Sequence, residues 1–195
     1  MKNLIRHIKL VSHHRRYVCN MCFKMGIPFQ GIIHDLSKYS IRELRICKYY
    51  TGSRSPHDNA RDELGYSPSW IHHKYKNKHH WQYWIDDNHS GDFVAIKIPY
   101  KYVVEQFCDM VGASKAYLKD KYTHKSPYKY YLSECKGKRT MHTSSEALLI
   151  ILLQKMAELD SEVEFFEWYK DNKHILKYLY TVDKFTLSYF GYGEN

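Results

Sequence analysis

The sequence predicts an all-α fold. Apolar residues recur at alternating three- and four-residue intervals through several long segments, which is the spacing of a helix packed on a core. The 5 prolines and 9 glycines are few and fall mostly between these segments. Only residues 86–98 suggest a turn or short β-hairpin. With 195 residues, 44% of them hydrophobic, the chain is long enough to bury a core.

The first predicted helix covers about residues 3–25 and ends at Gly26. Its apolar stripe consists of Leu4, His7, Val11, His14, Val18, Met21 and Met25. His14 falls on this stripe, whereas His13 falls with Lys9 and Arg16 on the polar face. If one of the two histidines acts inside the fold, we expect it to be His14.

The next segments are shorter. We expect a short helix over 31–36, and Ser40 with Glu43 reads as a capping box that opens a helix over 41–50. Residues 51–68 are polar and turn-rich, which predicts a surface loop with at most one helical turn. A helix is predicted over 70–85, with an interruption near Asn77.

After the possible hairpin, Pro99 begins a predicted helix that ends near Leu118. Residues 119–142 are rich in Tyr and Lys and give no clear pattern. Thr143 or Ser144 caps a last predicted helix through about Tyr169, and the aromatic C-terminal segment receives no assignment. We expect a helical core over 1–118 and a helical extension over 119–195 that packs on the same domain.

The chain is basic, with a formal net charge of +9. This favours anionic partners such as nucleotides or nucleic acid, although solubility alone would also explain it. The five cysteines are odd in number and irregularly spaced, which argues against a disulfide framework and for the cytoplasm. There is no signal-peptide pattern, and the longest apolar run, residues 147–153, is too short for a membrane span.

Two acidic positions lie among apolar residues. His34-Asp35 follows Ile32-Ile33 directly, and Asp109 lies in an apolar helix where Gly112 and Ala113 would let another backbone approach. Burying such groups is costly unless they have partners. A metal ion is one partner that can satisfy both His and Asp.

Four more histidines lie within residues 70–84. On a continuous helix, His72 and His79 would share one face and His73 and His80 another. The neighbouring lysines 74, 76 and 78 allow the alternative of a solvated basic face.

The order His14, His34-Asp35, Asp109 on successive helices resembles the H…HD…D signature of the HD-domain superfamily, the His-Asp metal-dependent phosphohydrolases. The HDLSK sequence is similar to the superfamily's HD-x-[GS]-K version. The resemblance covers roughly residues 10–118 and extends to an uncharacterised bacterial and phage branch with extra histidines.

The resemblance implies an HD-domain-like helical bundle in which His14, His34, Asp35 and Asp109 bind a divalent metal. It also implies a possible second metal at the extra histidines, where we favour His73 and His80, with His79 close behind and His72 open. The mixed nitrogen and oxygen ligands suit Mn, Fe, Co, Ni or Zn.

The expected function is hydrolysis of a nucleotide or another phosphorylated small molecule by a metal-activated water. Asp35 and Lys38 would be the catalytic residues, and Lys38 and Arg54 would contact the substrate phosphate. Two alternatives stay open. One is a di-iron oxygenase that uses the extra histidines, and the other is a non-catalytic nucleic-acid-binding protein.

Overall fold

The computed structural model describes residues 2–51 and 54–183, and the predicted mostly α-helical fold is confirmed there. A two-stranded antiparallel sheet pairs β1 (Ile85–Asp87) with β2 (Phe93–Ala95). The α-helices in the described ranges are α1 (Lys2–Lys24), α2 (Pro28–Ile33), α3 (Ile41–Leu44), α4 (Pro56–Leu64), α5 (Pro68–Lys76), α6 (Tyr100–Leu118), α7 (Ser126–Tyr130), α8 (Thr143–Glu158) and α9 (Glu162–Thr181).

Helix α1 has the predicted bounds within a residue or two, and its apolar stripe faces the core. His14 is buried on that stripe, whereas His13 is exposed. Gly26 follows in the left-handed region at φ 75°, which favours glycine and ends the helix. The predicted close approach at Gly112 is also confirmed, because a Cβ there would lie 2.5 Å from Val18 Cγ2. Helices α1 and α6 therefore pack tightly against each other.

The prediction of a helix over 31–36 is wrong in its placement. Helix α2 ends at Ile33, and a 3-10 turn begins only at Leu36. His34 and Asp35 lie between the two, in a turn. Asp35 has a left-handed backbone at φ 53°, which is incompatible with a continuing helix.

The segment 41–68 differs from its prediction in two ways. Ser40 does cap α3 by accepting a hydrogen bond from Glu43 N, but the α-helix continues only as far as Leu44 before a 3-10 turn. The expected surface loop contains α4, which has two and a half turns and starts at a proline. Its polar composition hid it, because few of its side chains are buried.

The interruption near Asn77 and the hairpin are both confirmed. Helix α5 ends at Lys76, and the four residues from Trp81 form a 3-10 turn. Because the helix stops before His79, His72 and His79 do not share a helix face.

The predicted final helix over 143–169 is two helices. Helix α8 ends at Glu158, and α9 starts after Ser161, whose side chain accepts from Glu164 N. Val163, which the prediction places inside the single long helix, is 65% exposed on α9. Residues 184–195 of the C-terminal segment lie outside the described residues.

One cluster of buried apolar side chains joins α1, α6, α8 and α9. Helix α8 contributes the most continuous part, because Leu148, Leu149, Ile151 and Leu152 are completely buried. Helix α6 packs against α1, α8 and α9. No helix in the described ranges combines the length and the apolarity needed to cross a membrane.

Candidate metal centre

The turn after α2 presents His34 and Asp35 to α1 and α6. Arg15 on α1 donates from Nε to the carbonyl of His34 at 2.7 Å and from Nη2 to that of Ile32 at 3.0 Å. Gly31 brings α2 close to α1, since a Cβ there would lie 3.0 Å from Cys19 Cα. His34 and Asp35 are consequently almost fully buried, at 1% and 0% exposure.

The first candidate ligand set comprises His14, His34, Asp35 and Asp109. His14 Nε2 lies 3.0 Å from Asp109 Oδ1 and 3.6 Å from Asp35 Oδ2. His34 Nε2 lies 3.3 Å from Asp35 Oδ2 and 3.4 Å from His14 Nε2. The structure thus brings together all four residues predicted for the first metal.

The second candidate set comprises Asp35, His73, His79 and His80. It uses the other carboxylate oxygen of Asp35, which lies 3.3 Å from His73 Nε2 and 3.6 Å from His79 Nε2. The His80 ring packs on both neighbours, with centroid separations of 4.7 Å to His73 and 4.2 Å to His79. Asp35 therefore belongs to both sets, one oxygen to each.

Two further carboxylates hold the histidines from behind. Glu105 on α6 lies 3.0 Å from Nδ1 of His34 and 3.0 Å from Nδ1 of His79. Glu43 accepts from Nδ1 of His73 at 2.8 Å. A hydrogen bond from Nδ1 to a carboxylate fixes the imidazole so that Nε2 is left for a metal ion.

Four buried atoms in the second set have no hydrogen-bond partner in the described residues. They are Asp35 Oδ1 and the Nε2 atoms of His73, His79 and His80. Buried polar atoms are rarely left unsatisfied in folded proteins. Because all four belong to one group whose ligand atoms lie within 4.8 Å of one another, the residues fit a divalent cation.

Electrostatics favour ionised carboxylates at this centre. Burial opposes charge on Asp35, but the charges of His34 and Lys38 outweigh it and hold the pKa of Asp35 well below its usual range. For Asp109, burial is likewise outweighed by hydrogen bonds to His14 and His34, and its pKa is also well below the usual range. Both carboxylates are therefore anionic near neutral pH and available to a cation.

The histidines of the two sets differ in protonation. Burial opposes a charge on His34, but its carboxylate neighbours Asp35, Asp109 and Glu105 raise its pKa well above the ordinary value. Burial lowers the pKa of His73 and of His80, which keeps them neutral. A metal at the second set would find free imidazole lone pairs on His73 and His80, whereas a metal at the first would compete with a proton on His34.

Lys38 also faces the centre. Its Nζ lies 2.6 Å from Asp35 Oδ2. Lys38 lines a cavity of about 190 Å³ together with His14, His73, His80 and Asp109. Trp70 forms part of the wall, with its ring 4.9 Å from that of His80. Four of the candidate ligands thus line a small cavity that also contains the positive charge of Lys38.

Two residues considered in the sequence analysis lie outside the centre: Arg54, predicted to contact the substrate, and His72, left undecided as a ligand. Arg54 is exposed, forms an ion pair with Asp62 and does not line this cavity. His72 lies outside both ligand sets and pairs through Nδ1 with Glu43 at 2.8 Å. His73 and His79, in contrast, are each 1% exposed, so they do not form part of a solvated basic face.

The sequence reasoning missed Glu43 and Glu105 as supporting residues. The sequence predicts only a capping role for Glu43 and gives no role to Glu105, which lies four residues before Asp109 on the same helix. That spacing was a usable signal, because a second acid one turn before a candidate ligand points toward the same centre.

Comparison with known proteins found one family. Neither a search of curated proteins nor a search of solved structures gave a match. One family, described as a family of unknown function (DUF5662), matches residues 3–155, which is most of the chain and includes every candidate ligand. This protein therefore belongs to the DUF5662 family.

Proposed function

We propose that the protein is a metal-dependent phosphohydrolase with two metal positions bridged by Asp35. The observation that carries this proposal is the division of the Asp35 carboxylate between the two ligand sets. A carboxylate shared in this way would hold two cations, which together can stabilise the attacking and leaving oxygens of an in-line displacement at phosphorus. The resemblance of residues 10–118 to the HD-domain superfamily supports the same reaction.

Bound divalent ions would supply a water of lowered pKa and polarise the phosphoryl oxygen. The protein's own residues have separate parts. Asp35, whose two oxygens lie one in each ligand set, would fix the positions of the ions and of the water bound to them. Lys38, whose ammonium is already in the cavity wall, neutralises the charge that develops on the phosphate. Trp70 shields one side of the centre from solvent.

The ligand chemistry narrows the choice of metal. Histidine nitrogens and carboxylate oxygens in comparable numbers suit Mn, Fe, Co, Ni or Zn better than Mg, which prefers oxygen alone. The substrate is a phosphorylated small molecule, with a nucleotide as the leading class because the chain carries a net charge of +9.

The test is elemental analysis of gently purified protein followed by phosphate release from a panel of nucleotides and simple phosphomonoesters with added Mn. We expect one to two transition metals per chain and a marked loss of both metal and activity in Asp35→Asn. Asp62→Asn, an exposed carboxylate on α4, is the matched control and keeps both. Wild-type protein that binds no metal, or that binds metal and hydrolyses none of the panel, would overturn the proposal.

A di-iron oxygenase is the second candidate, favoured by the three histidines in the second ligand set. Imidazole ligands suit iron as well as Mn. Iron in the purified protein, together with O₂ consumption and no phosphate release, would replace the hydrolase with this function. Phosphate release without O₂ consumption would exclude it.

A further inference from the structure

A second, larger groove adjoins the metal cavity. Its volume is about 670 Å³, and Leu10 on α1 lines both spaces. The wall of the groove comes from α1, from Tyr50, from the last turn of α6 and from the segment that follows it. A ligand in the groove would lie within one helical turn of His14.

The groove has an unusual concentration of positive charge. Helix α1 has six Lys and Arg side chains and no acidic residue. Three of the groove's cations, Arg6, Lys9 and Lys119, are exposed and form no ion pair with any residue in 2–51 or 54–183. Exposed cations without partners in a concave surface attract an anion more strongly than the same charges on a flat surface.

The other side of the groove is neutralised and serves as a contrast. Lys115 Nζ lies 2.8 Å from Glu162 Oε2, and Tyr122 donates to the second oxygen of the same carboxylate at 2.6 Å. The free positive charge is therefore concentrated along α1 and at Lys119, and it outnumbers the one acidic residue among the lining residues, Asp120.

Two aromatic rings line the same groove as these cations. Tyr17 is 36% exposed on α1, and Tyr50 lines the groove beside it. The Tyr50 ring is 5.9 Å from that of His7, which lines the metal cavity. A groove that contains both cations and accessible aromatic rings is typical of proteins that bind single-stranded nucleic acid. The cations contact the backbone phosphates, and the bases stack on the rings.

We propose that this groove binds single-stranded nucleic acid, with backbone phosphates on Arg6, Lys9 and Lys119 and bases stacked on Tyr17 and Tyr50. A duplex does not fit this surface, since its bases are already stacked and unavailable to the tyrosines. The inference rests on the groove alone and does not require the phosphohydrolase proposal. It places the strand beside the metal centre.

The test is fluorescence anisotropy of a 5′-labelled oligo-dT of about 12 nucleotides with the protein as purified, because strands of this length match typical single-strand sites. The groove variant combines Arg6→Ala, Lys9→Ala and Lys119→Ala. The control variant combines Lys170→Ala, Lys173→Ala and Lys177→Ala on α9, so that both lose three positive charges. Thermal unfolding of each variant confirms that it is folded.

We expect the groove variant to bind at least tenfold more weakly than wild type at 50 mM NaCl and the control variant to bind like wild type. The slope of log affinity against log salt should become shallower by about 2, which is 0.7 for each of three lost phosphate contacts. Tyr17→Ala with Tyr50→Ala should weaken binding at least about fivefold while leaving the salt slope unchanged.

Equal losses in the groove and control variants would overturn the proposal, because the binding would then depend on overall charge. Duplex DNA or anionic phospholipid vesicles bound as tightly as oligo-dT would overturn it as well. Metal content and phosphate release are measured on the same variants. A groove variant that loses the oligonucleotide but keeps both supports the groove independently of the centre's chemistry.

Discussion

Asp35 determines the geometry of the candidate centre more than any other single residue. Its left-handed backbone ends α2 and turns both carboxylate oxygens inward, one to each ligand set. Aspartate is among the few residues that tolerate this conformation, but the conformation still has an energetic cost. Arg15 on α1 donates hydrogen bonds to the carbonyls of Ile32 and His34, and these contacts offset the energetic cost of the turn.

The two supporting carboxylates should have separable effects on metal binding. Glu105 contacts a histidine of each set, whereas Glu43 contacts only His73 among the candidate ligands. Because a neutral amide is a weaker acceptor, we expect Glu105→Gln to lower metal affinity about 10- to 100-fold at both positions. Glu43→Gln should lower it at the second position only. Calorimetric metal titration of both variants measures the effects.

Glu63→Gln is the matched control, since Glu63 is an exposed acid that accepts one hydrogen bond from Tyr49. It should titrate like wild type. If Glu105→Gln and Glu43→Gln both retain two full-affinity metals, the carboxylates do not support the histidines in the way described.

His57 should make the protein sensitive to acid. Burial, followed by the positive charge of Lys38, lowers the pKa of His57 to about 2 in the folded state. Unfolded histidine titrates near 6.5, so below that pH the unfolded state takes up a proton that the folded state does not. This favours unfolding, and the stability contribution is lost progressively as the pH falls. From pH 7 to 5.5 the loss is about 1 kcal/mol.

Urea unfolding at the two pH values tests this effect. His57→Gln should reduce the pH dependence of the free energy of unfolding by about 1 kcal/mol over that interval. His89→Gln, in the exposed hairpin turn, should leave the pH dependence unchanged. A wild-type slope retained in His57→Gln would assign the acid sensitivity to other groups.

At the scale of elements, the centre depends on how closely α1 approaches α6. Gly112 makes this possible, because a Cβ at that position would lie 2.5 Å from Val18 Cγ2 and 3.2 Å from Val18 N. His14 lies one turn before Val18, and Asp109 lies about one turn before Gly112. The pair that forms the exposed side of the first ligand set is thus positioned by the glycine contact.

Gly112→Ala should force the two helices apart. We expect a loss of about 1–3 kcal/mol in the free energy of unfolding, as for other overpacked cores. Metal affinity at the first set should also fall, since His14 Nε2 and Asp109 Oδ1 now lie only 3.0 Å apart. Urea unfolding in chelator measures the stability, and metal titration measures the affinity.

Two further variants make this prediction specific. Ser114→Ala on the same helix should change neither quantity by more than a few tenths of a kcal/mol. Adding Val18→Ala to Gly112→Ala removes the atom nearest to the new Cβ and should restore part of the metal affinity. No recovery in the double variant would show that the glycine acts through something other than this contact.

The same elements show how far the sequence predicted the structure. Helices α1 and α6 were predicted almost to the residue, because each buries a regular apolar stripe. Helix α4 was missed, since it lies on the surface and buries only Pro56 and Ala60. The break at residues 159–161 was missed because it contains neither glycine nor proline. The capping residue Ser161 was the available signal.

The residues of the candidate site were likewise easiest to predict where they interrupt a regular apolar pattern. His14, His34, Asp35 and Asp109 each interrupt an apolar pattern, and their order along the chain, which resembles the HD-domain signature, grouped them as ligands. The second set could not be resolved from a helix face, since α5 ends before His79 and the loop places that ring. Contacts such as Glu43 to His73 join segments 30 residues apart, and local spacing contains no information about them.

At the scale of the whole molecule, metal binding and folding should be linked. The candidate ligands extend from His14 to Asp109 and come from α1, the turn after α2, α5, the loop after it, and α6. An unfolded chain does not bring them together, so a metal binds the folded state selectively and stabilises it. The segment beyond residue 118 contributes no ligand to either set but shares the core with α6.

Removing the metal should therefore lower the thermal stability of the entire chain. A metal at 100 times its Kd adds about 2.7 kcal/mol of stability. For a protein of this size that corresponds to a fall in Tm of roughly 5–10 °C when the metal is removed. Calorimetry of wild type before and after chelation measures the shift, and re-addition of Mn should reverse it. Asp35→Asn should show no change in Tm on chelation, because it removes the carboxylate common to both sets. A change in Tm equal to that of wild type would instead place the stabilising metal elsewhere in the protein.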